Sequence, residues 1–359
     1  MKIIIDDKIP FMRGQAERLG TAVYLPGAAI TADDVRDADA LIVRTRTRCD
    51  EALLKGSRVK FIATATIGFD HIDTAWLAKN GIGWTNCPGC NAGSVAQYVE
   101  SALLLLARAG RIRLDAATTL AIVGVGHVGT QVALMANRLG LNLLLCDPLR
   151  LQGCGGVEEG SAAAGGIADA VCCATLDDVC RQADIITFHT PLTRQGLHAT
   201  YHLASADFFS RLQRRPVVIN SSRGEVVDTS ALLDALRGGI VREAVVDTWE
   251  NEPNISRELL DRAFLATPHI AGYSADGKAN GTRMSLEAVA RFFGVDCLFD
   301  VEAPAVPPTF RYYPEAPDDA AANPSLALYD PRRDSDALKA DPAAFERLRG
   351  NYPLRREHF

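Results

Sequence analysis

The sequence has no apolar run of the roughly 20 residues that a membrane-spanning helix needs. It also has no excess of one charge sign, because 38 basic and 44 acidic residues are interspersed and give a net charge of −6. Such a balance offers no strongly charged face to a nucleic acid or a lipid surface. The opening stretch MKIIIDDKIP carries Asp6 and Asp7 where a secretory segment would be apolar. We therefore expect a cytoplasmic protein that binds a small molecule, with no nucleic acid and no membrane as partner.

The cysteines provide no disulfide framework. They number nine, have no repeating spacing and include the adjacent pair Cys172 and Cys173, a pattern that favours reduced thiols. Cys87 and Cys90 form a CxxC with a proline and a glycine inside it, which is typical of a turn. A redox or zinc site is the alternative, but no second CxxC or histidine pair supplies the other ligands. We predict no metal site.

Short apolar, β-branched runs alternate with helical stretches along most of the 359 residues. The early runs are KIIID, TAVYL, ALIVRT, KFIATAT and GIGWTN. A second series follows, with the runs TLAIVGVG, LNLLLCD, ADIITFHTP, PVVINSSRG, EAVVDTWE and FLATPHIAG. This alternation is typical of parallel α/β sheets, and six strand candidates in the second series predict a complete doubly wound domain.

Between the two series, residues 94–109 predict one long buried helix, with Ser94 as its N-cap and Gly110 at its end. Residues 151–175 are rich in glycine and alanine and predict a surface loop.

The end of the chain changes in character. Prolines cluster within residues 301–317 and predict a linker or an extended segment. Asp341 and Pro342 then open a short helix that Gly350 closes.

A glycine-rich loop follows the run TLAIV and opens a helical stretch. The loop residues expected to face a pyrophosphate are Gly124, Gly126, His127, Val128 and Gly129. The first glycine allows the tight turn, the second the close approach of the phosphates, and the third the packing of helix against strand. Asp147 follows at about the 20-residue spacing of this motif, where a carboxylate accepts bonds from the adenosine ribose and repels a 2′-phosphate. The pattern predicts NAD binding; the alternative is a packing loop with a surface aspartate.

Three chemically useful side chains follow three successive strand candidates of the second series. They are Arg223 after PVVIN, Glu252 after EAVVD and His269 after FLAT. Ligands of open α/β sheets bind outside the carboxyl ends of the strands, so these side chains are expected to converge. An imidazole can carry the hydroxyl proton of a carbinol, a carboxylate can hold the other ring nitrogen, and a guanidinium can bind a substrate carboxylate. Taken singly, each residue also fits a structural role.

The glycine loop with Asp147 and the runs NSSRG, DTWENEP and TPHIAG resemble the D-2-hydroxyacid dehydrogenase family in order and spacing. Other runs resemble one branch of it that oxidises a phosphorylated sugar acid, among them PGCNAGSVAQYVE, HIAGYSADGKANGT and the tail runs YDPRRD and FERLRGNY. The resemblance implies a catalytic triad of Arg223, Glu252 and His269, with His269 as acid and base.

Further residues match the ligand contacts of that branch. The resemblance implies NAD contacts at Asp147, Thr190, Ser221, Ser222, Arg223, Asp247 and Gly272. It implies substrate contacts at Thr45, Thr66 and Tyr273. Thr45 departs from the serine of the branch pattern but keeps the hydroxyl.

The substrate phosphate suggests a role for the segment VRTRTRC. If this segment is extended, Arg44, Arg46 and Arg48 project to one side and form a cationic rim, and we predict that Arg44 helps to bind the phosphate. A solvated, charged strand end is the equal alternative.

The resemblance implies a two-lobed α/β fold, in which a Rossmann-type NAD domain is inserted into a flavodoxin-like substrate domain and a small C-terminal α+β dimerisation domain follows. The expected boundaries are 1–98 for the substrate lobe, completed by about 271–293, 99–270 for the NAD domain and 294–359 for the dimerisation domain. We expect an NAD-dependent oxidoreductase that acts as a homodimer on a phosphorylated 2-hydroxy acid. The alternatives are a family member specific for 3-phosphoglycerate or hydroxypyruvate/glyoxylate, and a non-enzymatic NAD-sensing protein on the same scaffold.

Overall fold

A computed structural model describes residues 1–151, 174–305 and 324–357 of the chain. The described residues form two compact units, one of residues 1–91 and 273–305 and one of residues 92–272 and 324–357. Most of the predicted surface loop at 151–175 and of the proline-rich segment at 301–317 lies outside the described residues.

The first unit begins with a five-stranded parallel sheet in the order β2-β1-β3-β4-β5. The strands are β1 (Lys2–Asp6), β2 (Thr21–Leu25), β3 (Ala40–Val43), β4 (Phe61–Thr64) and β5 (Gly83–Thr85). The helices are α1 (Ala32–Val35), α2 (Glu51–Leu54) and α3 (Thr74–Lys79), with short 3₁₀ turns at Ala16–Arg18 and Gly27–Ala29. Every strand coincides with a predicted run, and the order is the flavodoxin-like one.

Both faces of this sheet are covered. Alternate residues of a strand point to opposite faces, so Ile3 and Ile5 of β1 belong to one buried cluster and Ile4 to another. This two-sided burial explains why the strands read as continuous apolar runs in the sequence.

The second unit contains a six-stranded parallel sheet in the order β11-β10-β9-β8-β6-β7. Its strands are β6 (Thr119–Val123), β7 (Asn142–Cys146), β8 (Ile185–Phe188), β9 (Val217–Asn220), β10 (Glu243–Val246) and β11 (Leu265–Ala266). Its helices up to β11 are α4 (Ala92–Arg108), α5 (His127–Arg138), α6 (Pro148–Leu151), α7 (Leu176–Gln182), α8 (Ala206–Ser210), α9 (Thr229–Arg237) and α10 (Arg257–Arg262), with a 3₁₀ turn at Gly224–Val226. All six predicted strands form, and the winding direction reverses beside β6, where such sheets bind ligands.

Helix α4 is buried along most of its length, as predicted, and Gly110 follows it in a left-handed conformation with φ of 66°. The prediction that Ser94 caps this helix is wrong, because the helix begins two residues earlier, at Ala92. The Ser94 hydroxyl instead contacts the guanidinium of Arg355, a residue far along the chain that local sequence cannot reveal.

After β11 the chain forms α11 (Ala275–Phe293), which belongs to the first unit and packs on β4. Ser274 caps it, since its hydroxyl accepts the Gly277 N–H at 2.8 Å. No helix in the described ranges is long and apolar enough to cross a membrane.

The C-terminal segment forms α12 (Pro324–Leu328), α13 (Arg332–Ala340), a 3₁₀ turn at Pro342–Ala344 and α14 (Phe345–Gly350), and it packs on the second unit. Leu338 and Phe345 enter the core beneath the six-stranded sheet. Ser335 accepts the Ala266 N–H at 3.1 Å, so α13 covers the edge strand β11. The short helix predicted after Asp341 and Pro342 is confirmed, while the dimerisation role of the segment stays a prediction.

Candidate active site

Arg223, Glu252 and His269 follow β9, β10 and β11, which are neighbours in the second sheet. Arg223 lies directly before the 3₁₀ turn Gly224–Val226, and its backbone carbonyl accepts a bond from the Asn220 side chain at 2.9 Å. A Cβ on Gly224 would overlap the backbone of Trp249, so only glycine lets the loop after β9 pack against the loop after β10. The carboxyl ends of three parallel strands thus present the three side chains at one edge.

Glu252 and His269 are in direct contact. The Nδ1 atom of His269 lies 2.9 Å and 3.1 Å from the two carboxylate oxygens of Glu252, and the Trp249 N–H donates to the same carboxylate at 2.9 Å. Burial on its own raises the pKa of Glu252, but the bond to His269, its charge and the Trp249 N–H outweigh burial and lower the pKa. An ionised carboxylate only accepts, so Nδ1 carries the proton and Nε2 is the ring nitrogen that can take one from a ligand.

The backbone of His269 is left-handed, with φ of 55°, which is uncommon for a residue other than glycine. Its N–H donates to the Asp247 carbonyl at 2.8 Å. The buried Asp247 carboxylate accepts the Thr267 hydroxyl at 2.6 Å and the N–H groups of Ile270 and Ala271 at 2.8 Å and 2.9 Å. Burial raises the pKa of Asp247. In the described residues the Asp247 carboxylate therefore shapes the loop that carries His269. The contacts of Asp247 and Gly272 with NAD stay predictions.

The three glycines of the loop after β6 differ in the space that surrounds a Cβ at each position. Gly124 has φ of 92°, and a Cβ there would lie 2.7 Å from the His189 carbonyl oxygen. A Cβ on Gly129 would overlap the Gly124 carbonyl, whereas a Cβ on Gly126 would meet no atom within 4 Å. The open space lies at the N-terminus of α5, where His127 and Val128 form the first turn and backbone N–H groups favour an anion.

Asp147 follows β7 and is held by the backbone around it. Its carboxylate accepts the Val125 N–H at 2.9 Å and the Leu149 N–H at 3.1 Å. The carboxylate is thus fixed beside the glycine loop, where the sequence motif requires the ribose ligand to lie.

Two predicted NAD contacts carry buried polar atoms that have no hydrogen-bond partner among the described residues. They are the hydroxyls of Thr190, after β8, and Ser221, after β9. A buried hydroxyl without a partner is costly, so these positions fit a bound polar ligand. Ser222 differs, because its hydroxyl donates to the Asn220 side chain at 3.0 Å. With the space above Gly126, the unsatisfied hydroxyls make the site suitable for a dinucleotide.

His189 lies beside this site and has a structural role. Its Nε2 lies 2.9 Å from the Thr187 hydroxyl, and burial lowers the pKa of His189 to about 3. The ring is therefore neutral at physiological pH and cannot serve as the proton carrier.

In the first unit, Thr66 lies in a chain of hydroxyl contacts. Its hydroxyl donates to the Gly68 carbonyl at 2.8 Å and lies 2.7 Å from the Thr64 hydroxyl, which in turn lies 3.0 Å from Nε2 of His71. Burial lowers the pKa of His71 to about 4. The sequence signal for this contact is the run TATIGFDHID, which holds both Thr66 and His71.

The segment VRTRTRC is not extended, so the condition for a one-sided cationic rim of its three arginines is not met. The chain turns directly after β3, with the Thr47 N–H bonded to the Arg44 carbonyl at 3.1 Å. The buried Thr47 hydroxyl fixes the turn by donating to the Gly27 carbonyl at 2.9 Å. Arg44 pairs with the buried Asp6 at 3.2 Å, and Arg48 pairs with Asp50 at 2.8 Å.

The other predicted substrate residues also lie in the first unit. Thr45 follows Arg44 within the turn. Tyr273 precedes α11, and the ammonium of Lys278 lies 5.0 Å from the centre of its ring.

Cys87 and Cys90 lie in the turn that their sequence predicts. The Cys87 thiol contacts the Thr64 and Gly281 carbonyls and the Ser285 hydroxyl, and burial raises the pKa of Cys87 to about 11. A protonated thiol is neither a ready metal ligand nor a nucleophile. Among the residues that the structure describes, no cluster of histidine, cysteine and carboxylate side chains has the arrangement of a metal site.

Comparison with known proteins agrees with this geometry. Residues 107–271 match the family described as "D-isomer specific 2-hydroxyacid dehydrogenase, NAD binding domain". The chain is 52% identical over 358 residues to an erythronate-4-phosphate dehydrogenase of Bacteroides fragilis, covering 99% of this chain and 97% of that protein. It is 50% identical over 358 residues to the protein of the same name from Bacteroides thetaiotaomicron, with the same shares covered.

A solved structure supports the fold. The crystal structure of D-lactate dehydrogenase from Aquifex aeolicus, complexed with NAD and lactic acid, superposes with a TM-score of 0.63 at 22% identity. The match covers 82% of this chain and 96% of that one.

Proposed function

The chain belongs to the erythronate-4-phosphate dehydrogenases of the D-isomer specific 2-hydroxyacid dehydrogenase family, and from this premise we propose its substrate and the roles of its residues. It is an NAD-dependent oxidoreductase, and the substrate is 4-phospho-D-erythronate, which it oxidises to 2-oxo-3-hydroxy-4-phosphobutanoate. This proposal rests on the contact between Glu252 and His269. The contact provides a proton carrier at the sheet edge where Arg223, an anion-binding group, follows a neighbouring strand.

The reaction removes a hydride from C2 and a proton from the hydroxyl on C2. The glycine loop and Asp147 would hold NAD, which would supply the hydride acceptor. Nε2 of His269 takes the hydroxyl proton, and in the reducing direction it returns that proton. Glu252 fixes the ring tautomer through Nδ1 and stabilises the imidazolium. Arg223 binds the substrate carboxylate and polarises the developing carbonyl.

The proposed substrate contacts are Thr45, Thr66 and Tyr273, with Arg44 at the phosphate. Because the Thr66 hydroxyl already donates to Gly68, it can offer a ligand only an accepting lone pair. That favours a contact with a substrate hydroxyl over one with the phosphate. Nε and Nη2 of Arg44 donate to the Asp6 carboxylate at 3.2 Å and 3.4 Å, so Nη1 is the nitrogen proposed to reach the phosphate.

The same proposal includes the pathway, the compartment and the oligomeric state of the protein. The enzyme serves pyridoxal 5′-phosphate (vitamin B6) biosynthesis, works in the cytoplasm and forms a homodimer through its C-terminal segment. The buried apolar side chains of Leu338 and Phe345 support only the attachment of that segment to its own chain. Its oligomeric state is measurable by light scattering.

The substrate is tested by following NADH absorbance after mixing the protein and NAD with 4-phosphoerythronate, 3-phosphoglycerate or unphosphorylated erythronate. A 2-oxo acid acceptor with added NADH serves as the control for a working reductive reaction. We expect the largest kcat/KM with 4-phosphoerythronate. A larger value with 3-phosphoglycerate would assign the chain to another specificity, and no signal with any acid would favour a sensor.

A further inference from the structure

Arg355 is a charged residue with almost no exposure. It lies after α14, near the end of the described chain, and only 1% of it is accessible to solvent. Its guanidinium carbon lies 3.8 Å from the centre of the Tyr329 ring. An arginine is rarely buried unless its donors are satisfied and its position has a purpose.

The donors of Arg355 reach two parts of the second unit. Nε donates to the Gln97 side chain at 2.9 Å, and Nη2 donates to the Ser94 carbonyl, both on α4. Nη1 donates to the Ile270 carbonyl at 3.2 Å, and Nη2 donates to the Ala271 carbonyl at 2.9 Å. The guanidinium therefore ties α4 to the two residues that follow His269.

The same two residues are held from their other side by Asp247. Its carboxylate accepts the N–H groups of Ile270 and Ala271 at 2.8 Å and 2.9 Å, while Arg355 binds their carbonyls. Consecutive peptide groups next to His269 are thus bonded through both donors and acceptors. A left-handed backbone at a residue other than glycine persists only where its surroundings fix it in this way.

We propose that Arg355 is a positioning residue for His269: by binding the Ile270 and Ala271 carbonyls, it holds the left-handed loop that aims the imidazole at the substrate. The catalytic consequence rests on the proposed function, whereas the effect on the loop does not. The C-terminal segment is then part of the active-site structure of its own chain. Neighbouring tail contacts strengthen the attachment, since the Gln97 side chain also donates to the Arg356 carbonyl at 2.9 Å.

The test is Arg355→Lys, which keeps the charge but replaces a fork of five donors with one ammonium that cannot reach all four carbonyl and amide oxygens. We expect kcat to fall about 10- to 100-fold, because small misplacements of a catalytic group have costs of that order. The KM for the acid and the affinity for NAD should stay within about twofold, since the hydrogen bonds described for Arg355 end on α4 and at the Ile270 and Ala271 carbonyls. Arg347→Lys is the matched control, because Arg347 has 67% side-chain exposure and its guanidinium pairs with Asp341 at 3.1 Å.

A second readout needs no substrate. Hydrogen–deuterium exchange at the Ile270 and Ala271 amides should become about tenfold faster in Arg355→Lys, while strand β6 keeps its protection. Unchanged exchange at these amides would overturn the proposal even if kcat fell. A normal kcat with faster exchange would overturn the positioning role, and no turnover in the wild-type protein would instead refute the proposed function.

If Arg355→Lys does not fold, Gln97→Leu provides the second variant. It removes the Nε acceptor of Arg355 and leaves the Ile270 and Ala271 carbonyls in place. We expect the same changes in exchange and kcat, at about threefold, because the guanidinium loses one anchor of several. Wild-type exchange and kcat in a folded Gln97→Leu protein would refute the proposal.

Discussion

Glu252→Gln tests whether the carboxylate at Nδ1 of His269 controls the proton transfer. Glutamine keeps the size of the side chain and one carbonyl oxygen that can still accept from Nδ1. It removes the negative charge, which lies 2.9 Å from the ring nitrogen. The wild-type interaction lowers the pKa of Glu252, and by reciprocity the same coupling stabilises the imidazolium.

The magnitude follows from the distance and the exposure of the pair. Two unit charges about 4 Å apart in an effective dielectric of about 20 interact with about 4 kcal/mol. The side chains of His269 and Glu252 are 27% and 17% exposed, so solvent screens part of this interaction. We therefore expect the loss of this charge to slow proton transfer about tenfold, which corresponds to about 1.4 kcal/mol.

The assay is the pH dependence of kcat/KM for oxidation of 4-phosphoerythronate. Oxidation needs the neutral imidazole, so the rate rises with pH. In Glu252→Gln the midpoint of this rise should move to lower pH, because the charge that favours the imidazolium is removed. The plateau of kcat/KM at high pH should fall about tenfold or more, because the imidazole without its carboxylate partner is a weaker proton acceptor. Glu258→Gln, which removes a 42% exposed carboxylate paired with Arg237, is the control. An unchanged midpoint would refute the role assigned to Glu252.

Three further changes test the cofactor loop and the buried histidine. Gly126→Ala should leave the thermal unfolding temperature unchanged but weaken NAD binding about tenfold or more, because its methyl group enters only the open space meant for the pyrophosphate. Gly129→Ala should destabilise the folded protein by about 1–3 kcal/mol in denaturant titrations, because its methyl group overlaps the Gly124 carbonyl; equal effects of the two alanines on stability would contradict this distinction. His189, with its pKa near 3, binds fewer protons in the folded than in the unfolded state, so it lowers stability as pH falls below about 6.5, by up to about 2 kcal/mol at pH 5. His189→Gln should flatten the pH dependence of the unfolding free energy over this window, and an equally steep profile would contradict the burial of the neutral ring.

The strands and the cofactor loop are predictable from sequence because their causes are local. Strands buried on both faces read as apolar runs, and every such run identified in the sequence forms a strand. The glycine loop is equally local, since Gly124, Gly126 and Gly129 act within a few residues of one another. The contact of Glu252 with His269 was predictable from topology, because neighbouring parallel strands end at the same edge.

The remaining features depend on partners distant in the chain. The segment that begins at Arg44 turns, and the Thr47 hydroxyl fixes the turn by donating to the distant Gly27 carbonyl. Ser94 lies inside its helix, where its hydroxyl accepts a bond from Arg355. Arg355 itself was unpredictable from local sequence, since a charged tail usually reads as solvated surface and its acceptor at Ala271 lies 84 positions earlier.

The central claim is that His269 carries the hydroxyl proton in the oxidation of 4-phosphoerythronate. The most direct measurement is kcat for NADH formation by His269→Ala, together with its dissociation constant for NAD. We predict that kcat falls by a factor of about 10² to 10⁴, the usual contribution of a positioned acid or base. The dissociation constant should be nearly unchanged, because the glycine loop lies after a different strand. A variant that keeps turnover close to the wild-type value, with NAD bound normally, would contradict the claim.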